Sequence, residues 1–350
     1  LFVVLAFSLL VGFYFDETIS GIGAKADFYF TWDYVLLLEK NIVPPKGSNG
    51  FAASTPLHYM ILSRLNLIFN NQEFVRLIVC LISILIPYLF YLNLKVKFPK
   101  TDESLLILLS CSVFLLPSFR YSAIWANTHI TGLIFFLIST LFFLKWEKKK
   151  QLNSINKYLV YSTIFLALAC YTRQYYALIF VYFLFIYFTK LNFLNFIKIS
   201  FFIFLLSLPG FWLMYNDPAL LKTVYTTRFY NTILINTSII SFFLMPIFIA
   251  TLAFNKNLIH NKKNIIIYFL ISIGILLFLL MFNFDYSQYN AQEKFPKSIA
   301  GGGFFFKLSY IFFSNPYFFY LTSFIGIFFV IYLFKEDKKS LDNRINIHSK

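Results

Sequence analysis

Charge is what this chain has least of. Only 13% of its 350 residues are Asp, Glu, Lys or Arg, roughly half the share found in soluble domains. With 59% hydrophobic residues and a mean hydropathy of +0.71, that scarcity excludes a soluble domain with a solvated surface. Cysteine is also scarce. Cys80, Cys111 and Cys170 all fall inside apolar runs without metal-ligand spacing, which argues against a thiolate metal centre and for buried small hydrophobes. No internal repeat is visible, which weighs against transporters built from inverted repeats.

Long apolar runs take the place of charge. Their breaks define ten candidate membrane spans: 1–15, 74–95, 104–118, 123–144, 156–171, 174–189, 197–215, 232–254, 264–282 and 312–334. A bilayer core is crossed by about 20 helical residues, and within lipid only helices or closed barrels satisfy every backbone polar group. The expectation is an all-α polytopic membrane protein of about ten transmembrane helices, one integral membrane domain over residues 1–350. The stretch 56–69 is too short to cross comfortably and reads as a re-entrant or interfacial helix.

The charges that remain are unevenly shared. With residue 1 on the cytoplasmic side, the cytoplasmic connections hold 18 Lys and Arg against 6 Asp and Glu. The outer connections hold 12 against 9, although they are longer. That asymmetry follows the positive-inside rule. The net charge of +15 therefore needs no nucleic-acid partner: Lys145 to Lys150 is a stop-transfer flank, and 335–350 is a basic cytoplasmic tail. The chain begins with Leu1 and its first run is short for a crossing, so a start further upstream is expected. No small-residue cleavage site precedes Asp16 to mark a signal peptide.

The outer side collects the residues that need explaining. Asp16 and Glu17 follow the first apolar run directly. A carboxylate at the lip of a bilayer is costly to desolvate, so it is solvated, paired or catalytic. In the first outer loop, 16–55, the part from Ala26 to Lys40 is rich in aromatics with scattered acids, Asp33 among them. It suits an amphipathic segment lying in the headgroups, broken by the turn-rich run from Asn41 to Gly50. Arg76, Arg120, Arg173 and Arg228 stand at outer span ends or in outer loops. Guanidinium groups grip phosphate by paired hydrogen bonds, and carboxylates can deprotonate a hydroxyl. Acids from one loop and arginines from others suit a reaction on a phosphate-bearing lipid at the outer leaflet. Plainer readings stand beside this one. Asp16 or Glu17 can mark a helix end in water, and Arg76 and Arg120 can anchor in headgroups or snorkel. Arg173 is more telling, because it lies in a tight turn among Tyr171, Tyr175 and Tyr176. His58 and His129 read as satisfied interfacial histidines.

Several of these elements occur together in one known group. An acid closing the first span, an amphipathic outer loop, Pro56-Leu57-His58-Tyr59 and then Glu73-Phe74-Val75-Arg76-Leu77 resemble the GT-C superfamily of membrane glycosyltransferases, which use polyprenyl-phosphate sugars. The Pro56 to Tyr59 segment is similar to the Pro-Pro-Leu-Tyr-Tyr element of the protein-mannosyltransferase-like and aminoarabinose-transferase-like branches, with one proline instead of two. The Arg173-Gln174 turn resembles an Arg-Gln motif of a dolichyl-phosphate-glucose-dependent glucosyltransferase. The likeness covers mainly residues 1–145. It implies a GT-C-like fold and makes Asp16 the catalytic base, with Glu17 as its rival. Arg76 matches the family's arginine after the Pro-Leu-x-Tyr helix. With the phosphate chemistry added, Arg120, Arg173 or Arg228 would hold the departing phosphate, and His58, Tyr59 and Asp33 fall on the acceptor side of the loop. Many relatives carry an acid near the start of the fourth span, where this chain has Trp125-Ala126-Asn127-Thr128-His129. No cofactor is expected, and a divalent metal is not favoured, because such cations take several oxygen ligands.

The resulting expectation is a glycosyltransferase working in membrane lipid. It would move a sugar from a polyprenyl-phosphate-linked donor to a glycan, lipid or protein acceptor. A bacterial cytoplasmic membrane, with the site facing the periplasm or exterior, is the expected location. A transporter or flippase would place charges in mid-span, where this chain has almost none. A polysaccharide polymerase of cell-surface assembly would carry a larger late outer loop than 283–308.

Overall fold

The computed structural model describes residues 1–18, 23–41, 45, 54–149, 154–216, 237, 262–281, 320–328 and 331. Arg228, the loop 283–308, the tail 335–350 and most of the candidate span 232–254 lie outside the described residues. Two compact units divide the chain, Leu1–Val224 and Tyr225–Lys350. Among the described residues the regular structure is helical throughout, with no strand.

The first unit begins with α1 (Phe2–Tyr14) and α2 (Gly23–Lys40). Along α2, Ala24, Phe28, Trp32, Val35 and Leu38 are buried. They recur every three or four residues, the spacing of one helix face. That face packs on α3 (Leu57–Phe69), where Tyr59 and Leu62 are buried. Asn66 of α3 donates to Glu39 of α2 at 2.6 Å. The aromatic first loop is thus a helix clamped to the short apolar helix that follows it.

Then come α4 (Gln72–Ser83), α5 (Leu85–Lys97) and α6 (Glu103–Cys111). Asn71 caps α4 by accepting from the Phe74 N–H at 3.0 Å, and Glu73 in its first turn complements the helix dipole. A short 3-10 turn, Ser112–Leu115, leads to α7 (Pro117–Ile124). Sequence pattern alone predicts a turn around Arg120. A helix forms instead because Pro117 occupies its first position, where the fixed φ suits a helical start.

The unit continues with α8 (Thr128–Glu147), α9 (Lys157–Cys170), α10 (Ala177–Lys190) and α11 (Phe193–Asn216). Helices α8 and α9 pack through small residues, with Ser139 donating to the Ser162 carbonyl at 2.7 Å, as helices in lipid commonly do. At the far end of α8, Trp146 of the basic flank is buried and packs edge-on against Tyr187 of α10. Beside it, Glu147 pairs with Lys190 at 2.6 Å. In the second unit, α12 (Lys262–Leu280) buries Tyr268 and Ser272, and Phe269 packs edge-on against Phe324.

Three described helical stretches are long and apolar enough to cross a membrane: Gln72–Lys97, Thr128–Glu147 and Phe193–Asn216. A fourth crossing results if Glu103–Leu115 and Pro117–Ile124, bent by 63°, count as one broken span. Phe2–Tyr14, Lys157–Cys170, Gln174–Lys190 and Ile266–Phe278 are helical where the apolar runs predict spans, but each has only 10–17 residues. Rising 1.5 Å per residue, even the longest reaches about 26 Å, short of a core of about 30 Å.

Candidate functional site

The charges that follow the first apolar run are organised by the way α1 ends. Asp16 adopts a left-handed backbone, φ 50°. Its N–H donates to the Phe13 carbonyl at 3.1 Å, and the Glu17 N–H donates to the Gly12 carbonyl at 2.8 Å. This is the Schellman arrangement, with Asp where glycine is usual. The reversal sends the two carboxylates to different partners.

Asp16 accepts from Arg76 Nη2 at 2.7 Å and from Lys25 Nζ at 3.2 Å, with 43% of its side chain still exposed. Partial burial pushes its carboxyl up, but the hydrogen bonds and charges of Arg76 and Lys25 outweigh this and lower it below the usual range. Arg76 has a side chain only 5% exposed and also pairs with Glu73 at 2.7 Å. Its guanidinium lies 4.3 Å from the Trp125 ring centre and 4.4 Å from that of Phe13, the cation–π geometry that arginine favours.

Glu17 is held differently. Its two carboxylate oxygens accept from Arg120 Nε at 2.8 Å and Nη2 at 2.5 Å. Arg120 also donates to the Ser8 hydroxyl at 2.9 Å, and Trp125 Nε1 donates to the Glu17 carbonyl at 3.0 Å. The pair fits only because residue 12 has no side chain. A Cβ on Gly12 would stand 2.8 Å from Arg120 Nη2 and overlap the Glu17 carboxylate. Gly12→Ala is therefore expected to lose about 1–3 kcal/mol through overpacking, read as a lower melting temperature in detergent. Gly274→Ala, where nothing lies within 4 Å, should leave that temperature unchanged or raise it. Equal melting of Gly12→Ala and the parent would contradict the packing described.

Arg173 belongs to a separate polar cavity of about 240 Å³, also lined by Asp27, Thr31, Ser54, Tyr59 and Asn127. Trp125 forms part of its wall, so the same indole borders the cavity and receives Arg76. The turn carrying Arg173 approaches α8 closely because residue 132 is glycine. A Cβ there would lie 2.6 Å from the Thr172 hydroxyl. Arg173 Nη2 reaches His129 Nε2 at 3.0 Å and Asn127 Oδ1 at 3.4 Å, while its buried Nε has no protein partner. Since arginine only donates, His129 accepts with Nε2 and its Nδ1–H faces the Tyr175 hydroxyl at 3.1 Å. Among the described residues no carboxylate forms an ion pair with Arg173, whereas Arg76 and Arg120 are both paired.

Asp27 stands at the rim, open to solvent on one side. Desolvation by the atoms crowding it raises its carboxyl above the usual carboxylate range, against the opposing pull of Arg173. Tyr59 is buried and its hydroxyl accepts from Ser54 at 3.1 Å. His58 is also buried, with Nδ1 2.8 Å from the Thr131 hydroxyl and Nε2 2.8 Å from the Ala126 carbonyl. It braces the backbone of the cavity wall and does not line the cavity. Asp33 is exposed on α2.

The candidate residues from sequence thus fall into three groups. Asp16 joins Arg76 and Glu17 joins Arg120, while Arg173 and Tyr59 share the cavity; Arg228 lies outside the described residues. Asp27, which the sequence places among the outer acids without assigning it a role, is the cavity carboxylate. Its signal was Thr31 four residues later on the same helix face, which also lines the cavity. Among the described residues no three His, Cys, Asp or Glu side chains gather as a metal site. Compared with family models, curated proteins and solved structures, the chain matches none.

Proposed function

We propose that this chain is a membrane glycosyltransferase of GT-C type. On this reading it is a multi-pass protein of about ten spans, in a bacterial cytoplasmic membrane with the cavity on the outer face. It moves a sugar from a polyprenyl phosphate to a hydroxyl of a glycan, lipid or protein. The observation that carries the reading is the Arg173 guanidinium, unneutralised by any described carboxylate and facing a cavity with Asp27. A guanidinium with spare donors suits a phosphate. The hydroxyl and amide groups of Thr31, Ser54, Tyr59 and Asn127 suit sugar hydroxyls, beside the flat face of Trp125.

In the proposed reaction Asp27 takes the proton of the acceptor hydroxyl as the acceptor oxygen bonds to the anomeric carbon. The bond from that carbon to the phosphate oxygen breaks, and its electron pair leaves with the phosphate. Arg173 balances the growing charge, a preorganised electrostatic role. The raised Asp27 carboxyl is the better base, because proton transfer is most efficient when the acceptor's pKa approaches the working pH. Asp16 and Glu17 instead neutralise Arg76 and Arg120 and so hold Trp125 in the cavity wall.

Transfer from a panel of polyprenyl-phosphate sugars to membrane acceptors tests this directly. Asp27→Asn should lower transfer by about 10²–10⁴-fold, while Asp16→Asn should lower it less than about tenfold, mainly through loosened packing. Normal transfer by Asp27→Asn would remove it as the base. Absence of transfer from every donor by the parent protein would overturn the functional reading.

A further inference from the structure

Arg173 approaches the cavity from a backbone that is fixed on several sides. Just before it, the Tyr171 carbonyl accepts from the Leu57 N–H at 3.0 Å, and Thr172 is buried against Gly132. The Tyr171 side chain is anchored in α11, which contains Pro209 and so lacks one ladder N–H. There the Tyr171 hydroxyl donates to the Leu206 carbonyl at 2.5 Å and accepts from the Gly210 N–H at 3.1 Å. Those are the two groups that an uninterrupted helix would join. These contacts place the Arg173 backbone, but they do not orient the guanidinium at the end of its long side chain.

The guanidinium is oriented by His129. Asn127 Oδ1, 3.4 Å away, already accepts from the Thr128 hydroxyl and the His129 N–H, each at 3.2 Å. His129 Nε2, at 3.0 Å, is the closer acceptor. The imidazole is held in turn. Its Nδ1 lies 3.1 Å from the Tyr175 hydroxyl, and the two rings stack with their planes 28° apart. An imidazole that accepts at Nε2 and donates at Nδ1 carries no charge. Among the described residues Arg76 and Arg120 are held by carboxylates, which cancel their charge, and Arg173 is not. Its buried Nε also keeps a donor without a protein partner.

We propose that His129 is the positioning residue of this site: it fixes the Arg173 guanidinium with a neutral acceptor and so leaves the full positive charge for a phosphate. This rests on the reading of Arg173 as the phosphate site. A carboxylate at position 129 would hold the guanidinium but neutralise it. An apolar residue there would leave it charged but free among its rotamers.

The test is calorimetric binding of geranyl phosphate, a short prenyl phosphate, to the protein in detergent. His129→Gln keeps an uncharged acceptor and should bind within about threefold of the parent. His129→Glu, whose carboxylate pairs with Arg173, should bind about tenfold or more weakly. His129→Leu removes the acceptor and should fall between them. A role confined to packing is indifferent to charge and predicts equal losses for the Gln and Glu variants. A second readout comes from Arg173→Gln. Because His129 acts through Arg173, adding His129→Leu to Arg173→Gln should cost no further affinity. Parent-like binding by His129→Glu, equal losses for the Gln and Glu variants, or additive losses in the double variant would each overturn the proposal. Failure of the parent to bind geranyl phosphate would remove the phosphate site together with it. Sugar transfer measured in parallel separates the two readings. The expected order of affinities without transfer would defeat the glycosyltransferase assignment alone, and transfer by the parent with a flat order would defeat the role of His129 alone.

Discussion

Glu17→Gln is expected to destabilise the protein by about 3 kcal/mol, the scale for removing one partner of a buried ion pair. The side chains of Glu17 and Arg120 are only 20% and 14% exposed, so the guanidinium left behind has little water to turn to. Glutamine offers one acceptor oxygen where the carboxylate offers two, and it carries no charge to match Arg120. The Ser8 hydroxyl and carbonyl, which already accept from Arg120 at 2.9 and 3.0 Å, cannot replace it. In detergent the melting temperature should drop by about 5 °C. The double variant Glu17→Gln with Arg120→Met should recover part of that loss, because it removes the stranded charge as well. If Glu17→Gln melted with the parent, or the double variant melted lower than both singles, the pair would not be holding the end of α1. Transfer activity would fall with folding in this variant, whereas Asp27→Asn should lose activity with its melting temperature intact.

The contrast between those two variants shows which parts of the site were legible in sequence. Asp16 and Glu17 stood out because carboxylates follow an apolar run, and charge counting assigned them an outer position. Their partners were hidden, since Arg76 lies 60 positions and Arg120 103 positions further along the chain. Nothing local reveals which arginine a carboxylate will meet. Arg173 was visible for the opposite reason: it is a charge in a turn too short and too aromatic to need one. Asp27 was obscured among the acids of a segment that looked interfacial. Its meaning depends on the face of α2 that Phe28, Trp32 and Val35 bury.

Helix positions were legible in the same uneven way. Apolar runs locate α9, α10 and α12 to within a few residues, because burial and backbone satisfaction in lipid act on composition. Helix length and bending depend on single residues. Pro117 starts a helix where a turn was expected, and the resulting 63° bend puts Arg120 within reach of Glu17. Pro209 and Tyr171 open α11, which no apolar pattern encodes. Left-handed Asp16 and Ala126 are equally invisible, although one ends α1 and the other turns the cavity wall.

Ala126 leads to the other large expected effect, which is a pH dependence centred on His58. The residue lies in α3, outside the membrane-crossing helices, and is 1% exposed. Burial, aided by the nearby Arg173 charge and opposed by the bond to Ala126, pushes its imidazole down to about 4 from 6.5. The folded protein therefore disfavours the protonated ring, while the unfolded chain accepts a proton near its ordinary value. The stabilisation is complete above pH 6.5 and is lost as pH falls toward 4, about 3 kcal/mol across that window. The carbonyl of Ala126 can only accept, so His58 Nε2 carries the hydrogen and Nδ1 accepts from Thr131. That bond restrains a residue at φ 46°, between Trp125 and Asn127 of the cavity wall. His58→Gln can keep one donor and one acceptor but has no proton to gain. Its melting temperature, measured from pH 7.5 down to 4.5, should fall less steeply than the parent's, and the difference between the two curves isolates His58 from every other titrating group. Parallel curves would mean that the buried imidazole does not couple protonation to folding.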